Sequence, residues 1–148
     1  MEEELMKKKK VLFICVHNSA RSQMAEAFLK LYGGDFFEVE SAGIEPGTLN
    51  PLVVEAMQEI GIDISKNRTK SAVDFLKQGK WYQYLITVCD EASAERCPIF
   101  PGVVQRFHWD FEDPSALQGG KKEKLARIRE IRDSIKAKVL EFVQDTTD

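Results

Sequence analysis

Residues 11–22 constrain this chain more than any other stretch. An apolar run, Val11-Leu12-Phe13-Ile14, ends in Cys15, and Arg21 follows six positions later. Ser22 then opens Gln23-Met24-Ala25-Glu26-Ala27-Phe28-Leu29, which reads as helix. A strand apolar at every position suits the centre of a parallel sheet covered on both faces. The order is therefore strand, short polar loop, helix. Backbone N–H groups at a helix start lack intrahelical partners and lie at the positive end of the helix dipole. A loop curling into that end can seat a tetrahedral oxyanion. Arg21 adds a planar, permanently charged fork that matches two oxygens at once. The same positive end suits a thiolate at Cys15, the nucleophilic form of the thiol.

The candidate oxyanion loop is thus Val16, His17, Asn18, Ser19, Ala20, Arg21 and Ser22, with Ser19 and Ser22 as hydroxyl donors toward the sulfur. Asn18 tolerates left-handed backbone and is expected to shape the loop. His17 reads as a solvent-edge side chain. A cysteine and an arginine at this spacing would otherwise mean a buried strand thiol and a solvent-facing helix charge. The flanking strand and helix favour the functional reading. No Gly-Lys-Ser/Thr ending follows, so this is not the ATP-binding loop.

Farther along, 22–32 reads as a helix with Met24, Ala27, Phe28 and Leu31 on one stripe, stopped by Gly33-Gly34. Residues 36–40 alternate as a second strand. Asn50 and Pro51 look like a cap and first turn for a helix over 51–60. Ser71 and Asp74 resemble a capping box for a short helix to residue 78. Strands are expected over 84–88 and 103–107, and a long helix over 121–142. The long helix carries Leu125, Ile128, Ile131, Ile135, Val139 and Phe142 at steps of three and four. The whole reads as α/β, a single-domain open parallel sheet of about four strands with helices on both faces. In such sheets ligands bind beyond the carboxyl ends of the strands, where Cys15 and Cys89 both stand.

With 148 residues the chain suits one domain, 11–148, after a flexible charged tail over 1–10. A net charge of −3 gives no reason to expect nucleic acid or an anionic membrane as partner. No apolar run approaches a membrane span, and the start does not read as a signal peptide. A monomer is expected. Three cysteines without a secretion signal point to free thiols in a reducing cytoplasm. Two histidines and no Cys-x-x-Cys pair argue against a metal site.

Cys89 and Cys97 have seven residues between them. On one continuous helix their Cα atoms would stand about 12 Å apart, whereas a disulfide needs roughly 4.4–6.8 Å. Any helix there must unwind or loop out before the sulfurs meet, as in a redox relay. Taken alone, the pair reads equally as a strand-end thiol and a space-filling one; beside Cys15 the relay is the better account. Downstream, Asp110 and Asp113 could each protonate a leaving oxygen. Asp113-Pro114 reads equally as a turn initiator or helix cap.

These pieces resemble the thioredoxin-coupled arsenate reductases that share the low-molecular-weight tyrosine phosphatase fold. The matching residues are those from Cys15 to Glu26, Glu40-Ser41-Ala42-Gly43-Ile44, Gly61-Ile62-Asp63-Ile64-Ser65, Val88-Cys89-Asp90, Cys97-Pro98, and His108-Trp109 with Asp113-Pro114. The oxyanion loop alone says phosphatase-like; the two further cysteines make the likeness specific. The resemblance implies that Cys15 attacks arsenate held by the loop and Arg21. Cys89 then attacks Cys15, arsenite leaves, and Cys97 takes over the disulfide for reduction by thioredoxin. It further implies Asp113 as general acid and Ser41 as the support of Asn18. The chain departs from the pattern in three places. His17 stands where many relatives have glycine. The Cys89–Cys97 spacing is one residue longer than in the best-known members. Some members bind potassium through residues matching Asn18, Glu26 and Ser41 plus an acid, and Lys70 lies near where that acid would be, which speaks against potassium.

Two other readings compete. A tyrosine phosphatase would use Cys15, Arg21 and Asp113 and needs an aromatic-lined cleft, for which the sequence offers residues 81–84, Trp109 and Phe111. A non-catalytic oxyanion-binding or thiol-sensing module would bind without turnover. Phosphate and arsenate are both tetrahedral anions that the loop should hold. Reduction additionally requires Cys89 to lie on, or reach, the Cys15 side of the sheet.

Overall fold

The computed structural model describes residues 8–147. Four strands, β1 (Lys9–Cys15), β2 (Phe37–Gly43), β3 (Tyr84–Thr87) and β4 (Gln105–His108), form one parallel sheet in the order β2-β1-β3-β4. The helices are α1 (Arg21–Gly33), α2 (Pro51–Gln58), α3 (Ala72–Lys77), α4 (Glu91–Ala94) and α5 (Lys121–Thr147), with a 3-10 turn at Pro114–Ala116. The expected open α/β sheet of four strands is the fold observed. Residues 1–7 of the expected tail lie outside the described residues, and Lys9 and Lys10 already belong to β1.

β1 is central and its apolar run is fully buried because both faces are covered. On one face Val11, Phe13 and Cys15 pack with Ile86 and Val88 under α1, α2 and α5. On the other, Leu12, Ile14 and Leu85 pack under Ala72 and Phe75 of α3 and under Cys97 and Phe100. The six expected apolar positions of α5, from Leu125 to Phe142, are all buried. Phe142 closes an aromatic cluster with Phe37, Tyr84, Phe107 and Trp109. Asn50 caps α2 as expected, its Oδ1 accepting from the N–H groups of Leu52 and Val53, and Ser71 caps α3.

The expected stripe of α1 needs correction. Leu31 is 59% exposed and Ala27 only half-buried, whereas Ala25 and Leu29 are fully buried beside Met24 and Phe28. α1 packs against β1, β2 and α5 together. Its first two turns are consequently enclosed nearly all round, and a single periodic face does not describe them. The strand limits also shift: β3 ends at Thr87, and β4 begins at Gln105 rather than 103.

Ile128→Ala is expected to lower the unfolding free energy by about 2–5 kcal/mol, and Leu31→Ala by no more than about 0.5 kcal/mol. Urea denaturation of the reduced protein checks the contrast.

Candidate active site

The loop between β1 and α1 is built by turning its carbonyls outward. The carbonyl oxygens of Cys15, Val16, His17 and Ser19 accept from the N–H groups of Ile44, Glu45, Gly47 and Asn50, at 3.1, 2.7, 3.0 and 2.9 Å. Fixing the carbonyls on the segment after β2 leaves the intervening N–H groups to face the inside of the loop. Gly43 is required there, because a Cβ on it would lie 2.8 Å from the carbonyl carbon of His17 and from the Val16 oxygen.

Asn18 adopts the left-handed backbone expected of it, with φ 54°. Its N–H donates to Cys15 Sγ at 3.1 Å, and its side-chain amide donates to Ser22 Oγ at 2.7 Å and Ser41 Oγ at 2.9 Å. Asn18 Oδ1 accepts from the Lys70 N–H and from Gln23 Nε2, each at 3.0 Å. Ser22 Oγ lies 2.9 Å from Cys15 Sγ; Ser19 makes no hydrogen bond to the sulfur. His17 is exposed, as expected, and its Nδ1 bonds the Glu45 carbonyl at 2.8 Å.

Arg21 is 6% exposed at the first position of α1. Its guanidinium donates to the Phe111 carbonyl at 3.1 Å and stands 3.8 Å from the Asp113 carboxylate. Asp113 also caps the 3-10 turn by accepting from the Ser115 N–H at 2.9 Å. The cap reading of Asp113 therefore holds, and its carboxylate also faces the Arg21 guanidinium. Asp110 is exposed.

Sequence reasoning missed Gln23, whereas Lys70 lies beside Glu26 and Ser41, as the resemblance led us to expect. Gln23 is fully buried and its amide also donates to the carbonyls of Asn18 and Arg68. Asn67 donates to its Oε1 at 3.1 Å. A glutamine directly after the loop serine, at the start of an apolar helix, was the available signal. Lys70 Nζ lies 3.2 Å from Glu26 Oε1 and 3.3 Å from Ser41 Oγ, and Ser41 Oγ donates to Glu26 Oε1. An ammonium already fills the ground between these oxygens, so a potassium ion does not fit there. Among the described residues no group of three or more His, Cys, Asp or Glu side chains that could hold a metal ion occurs.

The three thiols are free and buried. Cys89 follows β3 and packs in the same apolar cluster as Cys15. Burial pushes the Cys89 thiol up to about 11, while the nearby Arg21 guanidinium pulls it down. Cys97 packs in the other cluster, on the opposite face of the sheet, with Sγ donating to the Pro98 carbonyl at 3.3 Å. Helix α4 is a single turn capped by Asp90, which accepts from the Ser93 N–H at 2.8 Å. The expected obstacle of a continuous helix is therefore absent. Cys89 and Cys97 lie in different apolar clusters.

Similarity to known proteins identifies the family that carries this loop. The model of the low molecular weight phosphotyrosine protein phosphatase family matches residues 10–147. The chain belongs to that family. Within it, the similarity is to arsenate reductases. The arsenate reductase of Bacillus subtilis is 44% identical over 94% of this chain and 98% of its own length. A solved arsenate reductase in the phosphate-binding state is 30% identical, with a TM-score of 0.74, over 93% of this chain and 98% of that one. A thioredoxin-dependent arsenate reductase from Corynebacterium glutamicum is 36% identical, with a TM-score of 0.59, over 92% of this chain and 65% of that one. The fold is that of the family, and the three cysteines stand on it.

Because its thiol is held neutral by burial, Cys89 contributes stability below pH 9 that is lost as the pH rises toward 11. Between those values the melting temperature of the reduced protein is expected to fall more steeply than that of Cys89→Ser. Parallel melting curves check this.

Proposed function

We propose that this chain reduces arsenate to arsenite with three thiols, Cys15, Cys89 and Cys97, and an external dithiol protein of the thioredoxin kind. One observation carries the reading. Cys89 is buried in the same cluster as the loop thiol Cys15, on its side of the sheet, with a third thiol eight residues downstream.

In this reading the loop amides and Arg21 hold the arsenate oxygens. Cys15 Sγ attacks arsenic and displaces one oxygen, which Asp113 protonates as general acid. Cys89 Sγ then attacks Cys15 Sγ. The sulfur–arsenic bond breaks toward arsenic, which takes the electron pair and leaves as arsenite, and a Cys15–Cys89 disulfide remains. Cys97 attacks Cys89, frees Cys15, and the Cys89–Cys97 disulfide passes to the dithiol reductant. Ser41 and Asn18 keep the loop in shape. Lys70 supplies the positive charge beside Glu26, and potassium has no part. The chemistry suits the reducing cytoplasm.

The phosphatase reading has less support. Gln83 bonds Lys10 at the start of β1, so residues 81–84 lie at the amino end of the sheet, opposite the loop. Trp109 is buried against Phe13 and Phe142. Of the expected aromatics, Phe111 alone is tied to Arg21.

With arsenate, thioredoxin, thioredoxin reductase and NADPH, the parent is expected to turn over continuously. Cys97→Ser should stop after about one arsenite per chain for want of a resolving thiol, and aryl phosphate cleavage should be slow. Equal arsenate turnover by both proteins would remove Cys97 from the scheme; fast aryl phosphate cleavage without arsenate reduction would favour the phosphatase. Replacing sodium by potassium at constant ionic strength should leave kcat/KM unchanged.

A further inference from the structure

The second thiol exchange needs a thiolate at Cys97, and burial opposes it. Cys97 is 9% exposed; burial pushes its thiol up, and the Arg106 guanidinium pulls the other way. The sheet register explains why this arginine is the charge involved. Arg106 is paired with Leu85, and Leu85 with Leu12. Side chains paired across neighbouring strands point to the same face. Leu12 and Leu85 both lie in the cluster that holds Cys97. Arg106 therefore rises from the edge strand on Cys97's side.

His108, two residues on, rises on that side as well, with Nδ1 2.8 Å from Thr87 Oγ1. Arg106, His108 and Thr87 line a cavity of about 370 Å³ with Phe107, Ala94 and Glu95. Ala94 and Glu95 belong to the segment that carries Cys97, so that segment and the edge strand share the lining of this cavity, and Ala94 and Phe107 also pack against the cluster that holds Cys15 and Cys89. Among the described residues, Arg106 forms no ion pair. Its charge stands open beside the segment that must move.

Resting on the three-thiol reading above, we propose that Arg106 is the positioning residue of the second exchange, holding the Cys97 thiolate as it leaves its apolar seat for Cys89. The Cys97 thiol gives its proton to solvent. Its sulfur forms a bond to Cys89 Sγ, the Cys15–Cys89 bond breaks, and Cys15 leaves as a thiolate. The chain neither gains nor loses electrons in this step. The first two steps, at Cys15 and Cys89, take place on the other face and do not use Arg106.

The test follows the parent, Arg106→Met and Arg106→Lys after rapid mixing with arsenate and no reductant. Samples are acid-quenched and alkylated, and their disulfides mapped by mass spectrometry. All three should release one arsenite per chain at the same rate, which also shows that each is folded. Conversion of the Cys15–Cys89 disulfide to Cys89–Cys97 should be roughly threefold slower in Arg106→Met, because a more basic thiolate is scarcer but more nucleophilic. Arg106→Lys should restore it. Unchanged conversion in Arg106→Met overturns the proposal, as does a lysine variant no faster than the methionine one. If the parent itself forms no Cys89–Cys97 disulfide and matches Cys97→Ser, the three-thiol reading fails first.

Discussion

The site depends on the hydrogen bonds of one buried side chain, Asn18. In the left-handed conformation it reverses the chain, so that its own N–H meets the Cys15 sulfur. Its amide then ties the loop to the first turn of α1 through Ser22 and Gln23, and to β2 through Ser41. Lys70 completes the knot from the segment before α3. Among the described residues, no buried side-chain nitrogen or oxygen is left without a partner. Fully satisfied polar networks in a low-dielectric interior hold one arrangement, whereas a partly satisfied one costs stability. The loop thus has its shape in advance, which is what electrostatic stabilisation of a reacting oxyanion, as in the proposed function, requires.

The sheet order gives this loop its chemistry. β1 lies between β2 and β3, so a residue leaving β1 at its carboxyl end meets one leaving β3. Cys15 and Cys89 are those residues. Strand alternation sends Phe13 and Ile86 to one face and Ile14 and Leu85 to the other. Cys89 lies beyond the last β3 residue, Thr87, and turns toward the face that Cys15 shares. Cys97 returns to the opposite face. The proposed reaction therefore carries oxidation from one side of the sheet around its edge to the other. Burial of Cys89 and Cys97 keeps their thiols neutral at rest.

Much of this was legible in the amino-acid sequence, for local reasons. An apolar strand, a loop cysteine and an arginine opening a helix are neighbours in the chain, and their geometry follows from strand and helix rules alone. The positive φ of Asn18 and the caps at Asn50 and Ser71 are likewise local. The six apolar positions of α5 were readable because one face of that helix meets the core. Other features depend on tertiary contacts that no periodicity encodes. Gln23 and Lys70 join the loop from segments 5 and 52 residues away from Asn18. The α1 stripe failed because that helix start is enclosed on several sides. The face taken by Cys97 was not legible, since a loop residue has no alternation to follow.

In the proposed reaction, oxidation begun at the oxyanion loop ends on the far pair of sulfurs. Adding one equivalent of arsenate to the reduced protein without any reductant, then alkylating and mapping the peptides at completion, tests it most directly. One Cys89–Cys97 disulfide per chain is expected, with Cys15 recovered as the alkylated thiol. Recovery of all three cysteines alkylated, with arsenate unchanged, would contradict it.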